Sequence, residues 1–357
     1  MRTRSFLTYA GVACGVAALA ACGTSSASGG SGGNANRTLH MAFIYADTTQ
    51  NPFQEMALGA KAASNDAGNV DLTEVGPSGI NGPTEVTEFQ SATRSSPDGI
   101  GLETLTPDLF VRPLLQASDA NVPVVAVDTQ PPNGTKVGLY VGNSNTELGE
   151  MLGTEILKRI PVGTTGNVVL GDDIPGLTLL QQRLDGMKKV IQEQRPTLTV
   201  LGPFDSGSEP TDNFTKWNDI VKAHPGAVAY LGVGASDAVS LALIQKNTGQ
   251  RFIVGSCDPD ASALQGVKDG YVAALASPEH WLKGYVAMNL LIQHVRTGKP
   301  LPSGWWNSGG LIINSSNIDQ IIARQQNAQT RAAWFANEVK LQLANPSKYL
   351  EPMTAAN

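Results

Sequence analysis

Val122-Pro123-Val124-Val125-Ala126-Val127-Asp128 is the stretch on which the fold turns. Its apolar residues follow one another without polar interruption, and a carboxylate ends the run. A strand with one wet face alternates apolar and polar residues. A continuous run rich in Val marks a strand covered on both faces, as in parallel sheets flanked by helices. The helix predicted over Asp108 to Ala120 and the strand over Gly99 to Leu102 lie just upstream. Further back the same alternation holds, with strands at Leu39–Ala46 and Asp71–Val75 and helices at Phe53–Ala67 and Thr84–Thr93. Phe53, Met56, Ala57, Ala60 and Ala63 share one helical face. Downstream come a strand at Val137–Val141 and a helix at Thr146–Ile160.

The pattern then restarts. Strands are expected at Val168–Leu170, Leu198–Leu201, Val228–Val233 and Phe252–Cys257, with helices at Leu179–Gln194, Asn213–Ala223 and Ala238–Asn247 between them. Two rounds of βα alternation point to the fold class: α/β, two similar lobes with parallel sheets covered on both faces. The end breaks the repeat. A helix at Ala263–Asp269, a strand at Val272–Ala276, a long amphipathic helix at Leu282–Arg296 and a short strand at Leu311–Ile313 precede a polar helical tail from Ile318 to Ala344, continuous or broken, read as packing across the lobes.

The N-terminus carries a different message. Arg2 and Arg4 precede an apolar stretch from Gly11 to Ala21, ending in Leu19-Ala20-Ala21-Cys22. A basic start, a short apolar core and small residues before a cleavage point make a secretory signal. The stretch is shorter than the roughly 18 residues a transmembrane helix needs. Leu-Ala-Ala-Cys resembles the bacterial lipobox, so Cys22 is the expected lipidation site; an ordinary secretory signal that contains a cysteine is the alternative. Gly23 to Asn36, nearly all Gly, Ser, Thr, Ala and Asn, has the composition of a flexible tether. The expected location is outside the cytoplasm, lipid-anchored to the outer face of the cytoplasmic membrane.

Composition narrows the function. The chain has 357 residues and a net charge of −6, with no basic cluster of the kind nucleic-acid binding requires. With Cys14 in the signal and Cys22 lipidated, Cys257 is left without a disulfide partner and is expected to pack as a small buried hydrophobe. There is no GxxxxGK[ST] loop and no HExxH, and His40, His224, His280 and His294 lack zinc-ligand spacing. No cofactor or metal is expected, and no enzyme.

Polar residues gather instead at the carboxyl ends of the strands, where open α/β sheets bind ligands. Asp47 and Asn51-Pro52-Phe53-Gln54 follow the first strand, Glu103 the third and Asp128 the fourth. In the second round Asp172 and Asp173, then Ser236 and Asp237, then Asp258 occupy such ends. Each has a plainer reading. Asn51 and Asp108 suit helix N-caps, and Asp258-Pro259 suits a turn.

Several of these segments, in order, resemble the ribose-type periplasmic sugar-binding proteins. Phe43 to Gly68, Asp98-Gly99-Ile100, Val122 to Asp128, Asn143-Ser144-Asn145 with Gly149, Arg183 to Met187, Ala223-His224-Pro225, Val254 to Asp258, Gly266 to Gly270 and Gly284-Tyr285 carry the likeness, over Thr38 to about Asp319. The resemblance implies a type I periplasmic binding protein, a monomer of two Rossmann-like lobes joined by a three-segment hinge that closes on a small carbohydrate or polyol and delivers it to the transmembrane subunits of an ABC permease. The expected division is a signal at 1–21, a lipidated linker at 22–37, an N-terminal lobe at 38–142 plus 279–308, a C-terminal lobe at 143–278 plus 309–320, and a helical tail at 321–357. Hinges are expected near Gly142–Asn145, Ser277–Glu279 and Asn307–Gly310.

Carried over by position, Asn51 would hydrogen-bond ligand hydroxyls, Phe53 would stack on a sugar face, and Asp128 and Asp258 would accept hydroxyls from opposite lobes. Ser236 stands where the family often has asparagine. Gln54 replaces a second aromatic, Thr129 replaces an arginine, and Gln181 stands about where another arginine reaches the ligand. The late loop is Ser277-Pro278-Glu279-His280-Trp281, which puts His280 among the candidates; Trp281, Trp305 and Trp306 are expected to pack. These departures weaken the case for ribose and leave another sugar or a linear polyol open. A sensory receptor signalling to a membrane kinase is the rival reading.

Overall fold

Val124–Val127 forms β4, buried along its whole length in the middle of a sheet. The computed structural model describes residues 37–356. The signal and Cys22 lie outside the described residues.

The first round comprises β1 (Leu39–Ile44), α1 (Asn51–Ala67), β2 (Val70–Val75), α2 (Gly82–Ser95), β3 (Gly99–Glu103), α3 (Val111–Asp119), β4 and β5 (Leu139–Gly142). The second comprises α4 (Asn145–Leu157), β6 (Gly166–Asp172), α5 (Thr178–Gln194), β7 (Leu198–Asp205), α6 (Pro210–Ala223), β8 (Ala229–Leu231), α7 (Ala235–Thr248), β9 (Ile253–Cys257), α8 (Ala261–Lys268) and β10 (Ala274–Ser277). The chain then returns through α9 (His280–Thr297) and β11 (Gly304–Asn307), crosses to β12 (Leu311–Asn314), and ends in α10 (Ile318–Arg324), α11 (Ala328–Ala344) and β13 (Leu350–Glu351).

Two sheets result. One runs β2-β1-β3-β4-β5-β11-β13, the other β7-β6-β8-β9-β10-β12. Their first five strands share one order, so the two rounds of alternation are two copies of one topology. Pairing is parallel except at the edges, where β12 runs against β10 and β13 against β11. The pleat sorts β1 between two cores. Leu39, Met41 and Phe43 join the core under α1 and α9, while Ala42 and Ile44 join the one under α2 and α3. In the second lobe Val168 and Leu170 join one core and Val169 the other.

Each lobe has one helix pair packed backbone to backbone. A Cβ on Gly59 would come within 1.9 Å of the Trp281 carbonyl oxygen, and one on Gly284 equally close to that of Met56, so α1 and α9 approach through glycines. Gly149 and Gly186 do the same for α4 and α5, against the carbonyls of Arg183 and Thr146. This second pair matters for the site, because α4 begins at Asn145 and α5 carries Arg183.

The chain passes between lobes at 143–144, 278–279 and 308–310, between β5 and α4, β10 and α9, and β11 and β12. The tail breaks between α10 and α11 and is not wholly helical: β13 adds an edge strand to the first sheet. Among the described residues no helix is long and apolar enough to cross a membrane.

Candidate functional site

Asp128 follows β4 and Asp258 follows β9, the equivalent strands of the two sheets. Both take left-handed backbone, with φ of 63° and 59°, a region several-fold enriched in Asp and Asn among non-glycine residues. Both donate a backbone N–H to the next strand, Asp128 to Val141 at 2.9 Å and Asp258 to Ala276 at 3.1 Å. The turn aims both side chains at the lobe boundary. Capping of α8 falls to Asp260, whose carboxylate accepts the Ala263 N–H at 2.7 Å, so Asp258 is left for other partners.

Those partners form a buried chain of charge. Asp128 is hydrogen-bonded by the Lys283 ammonium. Asp258 accepts from the Arg183 guanidinium at 2.7 Å and lies 2.9 Å from His280 Nε2. Arg183 is fixed by two further acceptors, Asn145 Oδ1 at 3.0 Å and the Val233 carbonyl at 2.7 Å. Burial alone pushes the Asp258 carboxyl up; Arg183 and His280 more than offset it and hold the group well below the usual carboxylate range. At Asp128 burial is likewise outweighed, here by Lys283, His280 and Arg183. Two neighbouring carboxyls go the other way. Burial, reinforced by nearby carboxylates, pushes Glu103 and Asp173 well above the usual range. Asp237, beside Asp173, collects five hydrogen bonds, from Ser206, Asn213, Trp217, Val233 and Gly234, and serves as an internal fastener.

Several polar atoms here are buried without a protein partner: Glu103 Oε1, Thr129 Oγ1, Asn143 Oδ1, Asp173 Oδ1 and His280 Nδ1. Buried polar atoms are normally paired, and a group of unpaired ones needs an explanation. All five follow or end a strand, or begin the helix after a crossing. A cavity of about 390 Å³ reaches Asp128 and, of the five, Thr129; Gln130 and Tyr140 from one lobe and Asn145 and Gln182 from the other also line it. The Tyr140 hydroxyl donates to the Asp128 carbonyl at 2.7 Å and steadies that turn.

The structure brings Asp128, Asp258 and His280 together and sets Glu103 and Asp173 at strand ends. Other expected positions lie elsewhere. Gln181 is exposed and donates to Asp185 at 2.8 Å one turn along α5, a correction to its expected reach toward a ligand. Two residues apart on a helix means about 200° of rotation, so the inward side chain is Arg183. Asp47 is also corrected, its oxygens being taken by Thr49, Gln50 and Gly79 in a turn joining the β1 and β2 loops. Gln54 is exposed and donates to the Thr48 carbonyl, and Ser236 donates to that of Ser208. Phe53 is buried as part of the first-lobe core, and Asn51 is half-buried at the start of α1. Trp281 packs between Tyr285 and Phe335. Cys257 is fully buried, with burial pushing its thiol up to about 12.

Lys283, Arg183, Asn145 and Tyr140 were not among the expected site residues. Lys283 had a signal in the sequence: a lone cation within the apolar stretch Trp281-Leu282-Lys283-Gly284-Tyr285-Val286.

Comparison with known proteins adds four matches. The family model for the periplasmic binding protein domain matches residues 41–300. The xylose/arabinose-binding protein XylF of Sulfolobus acidocaldarius is 23% identical over 252 residues, 66% of this chain; the match spans only 61% of that protein's length. Among solved structures, GanP, a glucose-galactose binding protein from Geobacillus stearothermophilus, superposes with a TM-score of 0.70 at 23% identity, covering 79% of this chain and 99% of that one. A solute-binding protein of an ABC transporter from Burkholderia graminis, solved with D-arabinose, gives 0.72 at 19% identity, with 79% and 97% covered.

Proposed function

The chain belongs to the periplasmic binding protein family, and we propose that it captures a neutral sugar or sugar alcohol between its two lobes and hands it to a membrane permease. The family is one of extracytoplasmic binding proteins, not of enzymes. The observation that carries the reading is the set of five unpaired buried polar atoms beside a compensated pair of carboxylates. Hydroxyl groups, which both donate and accept, suit such a set. The charges favour a neutral guest: Asp128 and Asp258 are matched by Lys283 and Arg183, while burial and neighbouring carboxylates disfavour the charged forms of Glu103 and Asp173. Stability gives little reason to keep these charges inside, since apolar replacements of buried ion pairs are often neutral or stabilising. Ligand recognition does.

Asp128 and Asp258 would each bind hydroxyls from their own lobe, so the ligand bridges the lobes and favours the closed form by its higher affinity for it. XylF and the two solved relatives are sugar-binding proteins by name or by bound ligand, which supports the same class here. Lipidation at Cys22 would keep the trap near its permease, stable anchoring requiring more than one acyl chain. The test is isothermal titration against D-xylose, L-arabinose, D-glucose, D-galactose and linear polyols. Binding to one of these is the expected result; heat only from amino acids or charged metabolites would sink the sugar reading. Mass spectrometry of the membrane fraction, with Cys22→Ser as control, tests the anchor.

A further inference from the structure

The tail crosses the hinge a fourth time. Ile318 and Ile321 of α10 sit in a core of the second lobe, while Phe335 of α11 sits in a core of the first. Residues 325–327 therefore join the lobes, and on both sides of that join tail side chains grip the hinge. Arg324, 4% exposed, donates to both carboxylate oxygens of Glu279 at 3.1 and 3.2 Å. Glu279 is the last residue of the second crossing and takes φ of 54°. The same guanidinium lies over the rings of Trp334 and Phe335.

Gln342 grips the third crossing. Fully buried, it accepts from Trp306 Nε1 at 2.9 Å and donates to the Ser308 carbonyl at 3.2 Å. Ser308 in turn donates its N–H and its hydroxyl to Gly142, at 2.7 and 2.8 Å, where the first crossing begins. One glutamine thus reaches two crossings and one arginine the remaining one. Between hinge and tail lies a cavity of about 540 Å³ lined by Glu279, residues 307–311 and residues of α11, which leaves room for the crossings to move.

We propose that Arg324 and Gln342 are positioning residues for capture: the tail is a strap that holds the three crossings in a binding-competent geometry and so sets the affinity for ligand. The proposal rests on the two-lobe capture reading. If hinge rotation breaks the bonds made to hinge backbone and to Glu279, they favour this geometry over others, which is the differential interaction a population shift requires. Releasing them lowers the competent fraction, and apparent affinity falls in proportion.

The experiment compares wild type, Arg324→Met, Arg324→Lys and Gln342→Met by small-angle scattering without ligand and by titration with D-xylose, L-arabinose, D-glucose and D-galactose in turn. Arg324→Met and Gln342→Met are expected to broaden the ligand-free size distribution and weaken binding on the order of fivefold. Arg324→Lys, which keeps the charge, is expected to recover part of the loss. Variants that melt earlier yet keep wild-type scattering and affinity would overturn the strap and leave the tail a packing element. Should Arg324→Met fail to fold, Gln342→Met carries the same comparison. A wild type that binds no sugar and does not compact would instead overturn the capture reading.

Discussion

His280 Nε2 lies 2.9 Å from an Asp258 carboxylate oxygen, while its Nδ1 faces Asp128 from 3.9 Å. The imidazole leads a first-lobe helix, the nearer carboxylate ends a second-lobe strand, and the farther one ends the equivalent first-lobe strand. His280 therefore links the lobes at the base of the cleft. Hydrogen bonds to charged groups contribute about 1.5–3 kcal/mol. His280→Ala is expected to weaken sugar binding roughly tenfold to a hundredfold, read by calorimetry. Wild-type affinity in this variant would remove the bridge from the capture path.

Asp128 and Lys283 separate binding from stability. Lys283 is fully buried, and burial lowers its ammonium while Asp128 opposes that drop. Asp128→Asn strands the cation and is expected to cost about 3–5 kcal/mol of folding stability. Adding Lys283→Met removes the stranded charge, so the double variant regains most of the stability and none of the binding. Denaturant titration and calorimetry on the same three proteins provide the readouts. A double variant as unstable as the single one would show that the ion pair is not what Asp128 supports.

Much of the fold is legible because it is written in buried apolar runs. Val124 to Val127 can only be a covered strand, and the same reading works for inner strands such as β1, β5 and β8, while the edge strands β2 and β7 are mostly half-buried or exposed. Asp128 and Asp258 are legible for the same reason, as the first charges after such runs. What the sequence hides is rotation about helices. Gln181 and Arg183 are two residues apart, yet one faces water and the other the cleft. Lys283 stands out in sequence as a lone cation in an apolar stretch, but its partner does not: Asp128 comes from 155 residues away to meet it. Asp47 misleads because a carboxylate that finishes a turn looks, in sequence, like one that awaits a ligand.

Gly186 should couple packing to recognition. A Cβ there would stand 2.1 Å from the Thr146 carbonyl oxygen, which belongs to helix backbone and cannot swing aside. Gly186→Ala must push α5 away from α4, at about 1–3 kcal/mol. The displacement also pulls Arg183 from Asn145, so affinity is expected to fall with stability. Gly284→Ala, in the matching contact of α1 and α9, shifts Lys283 and His280 and should act alike. Thermal melts paired with titrations test this; stability loss at Gly186 with intact affinity would mean that Arg183 is not held by the helix pair.

The first lobe also predicts how stability changes with pH. Burial lifts the Glu85 carboxyl to about 8 from 4.5, although a hydrogen bond from the Thr104 hydroxyl at 2.9 Å pulls the other way. Glu103 is raised too, by burial and by Glu85 and Asp128. A carboxyl whose folded pKa exceeds its unfolded one holds its proton more tightly when folded. Its contribution is whole below the unfolded value of 4.5 and is lost as pH rises through about 8. Asp128 and Asp258, lowered on folding, act in the opposite sense and in another window. Their contribution is present above the unfolded value of 3.8 and is lost as pH falls through the folded values. Between pH 5 and 8 the raised pair dominates, so unfolding free energy should decline across that range. Glu85→Gln, neutral at every pH, should flatten the decline and leave the variant more stable than wild type at pH 8. Guanidinium titrations of both proteins at pH 5, 6.5 and 8 measure it, and an identical slope in the two would show that Glu85 is solvated in solution.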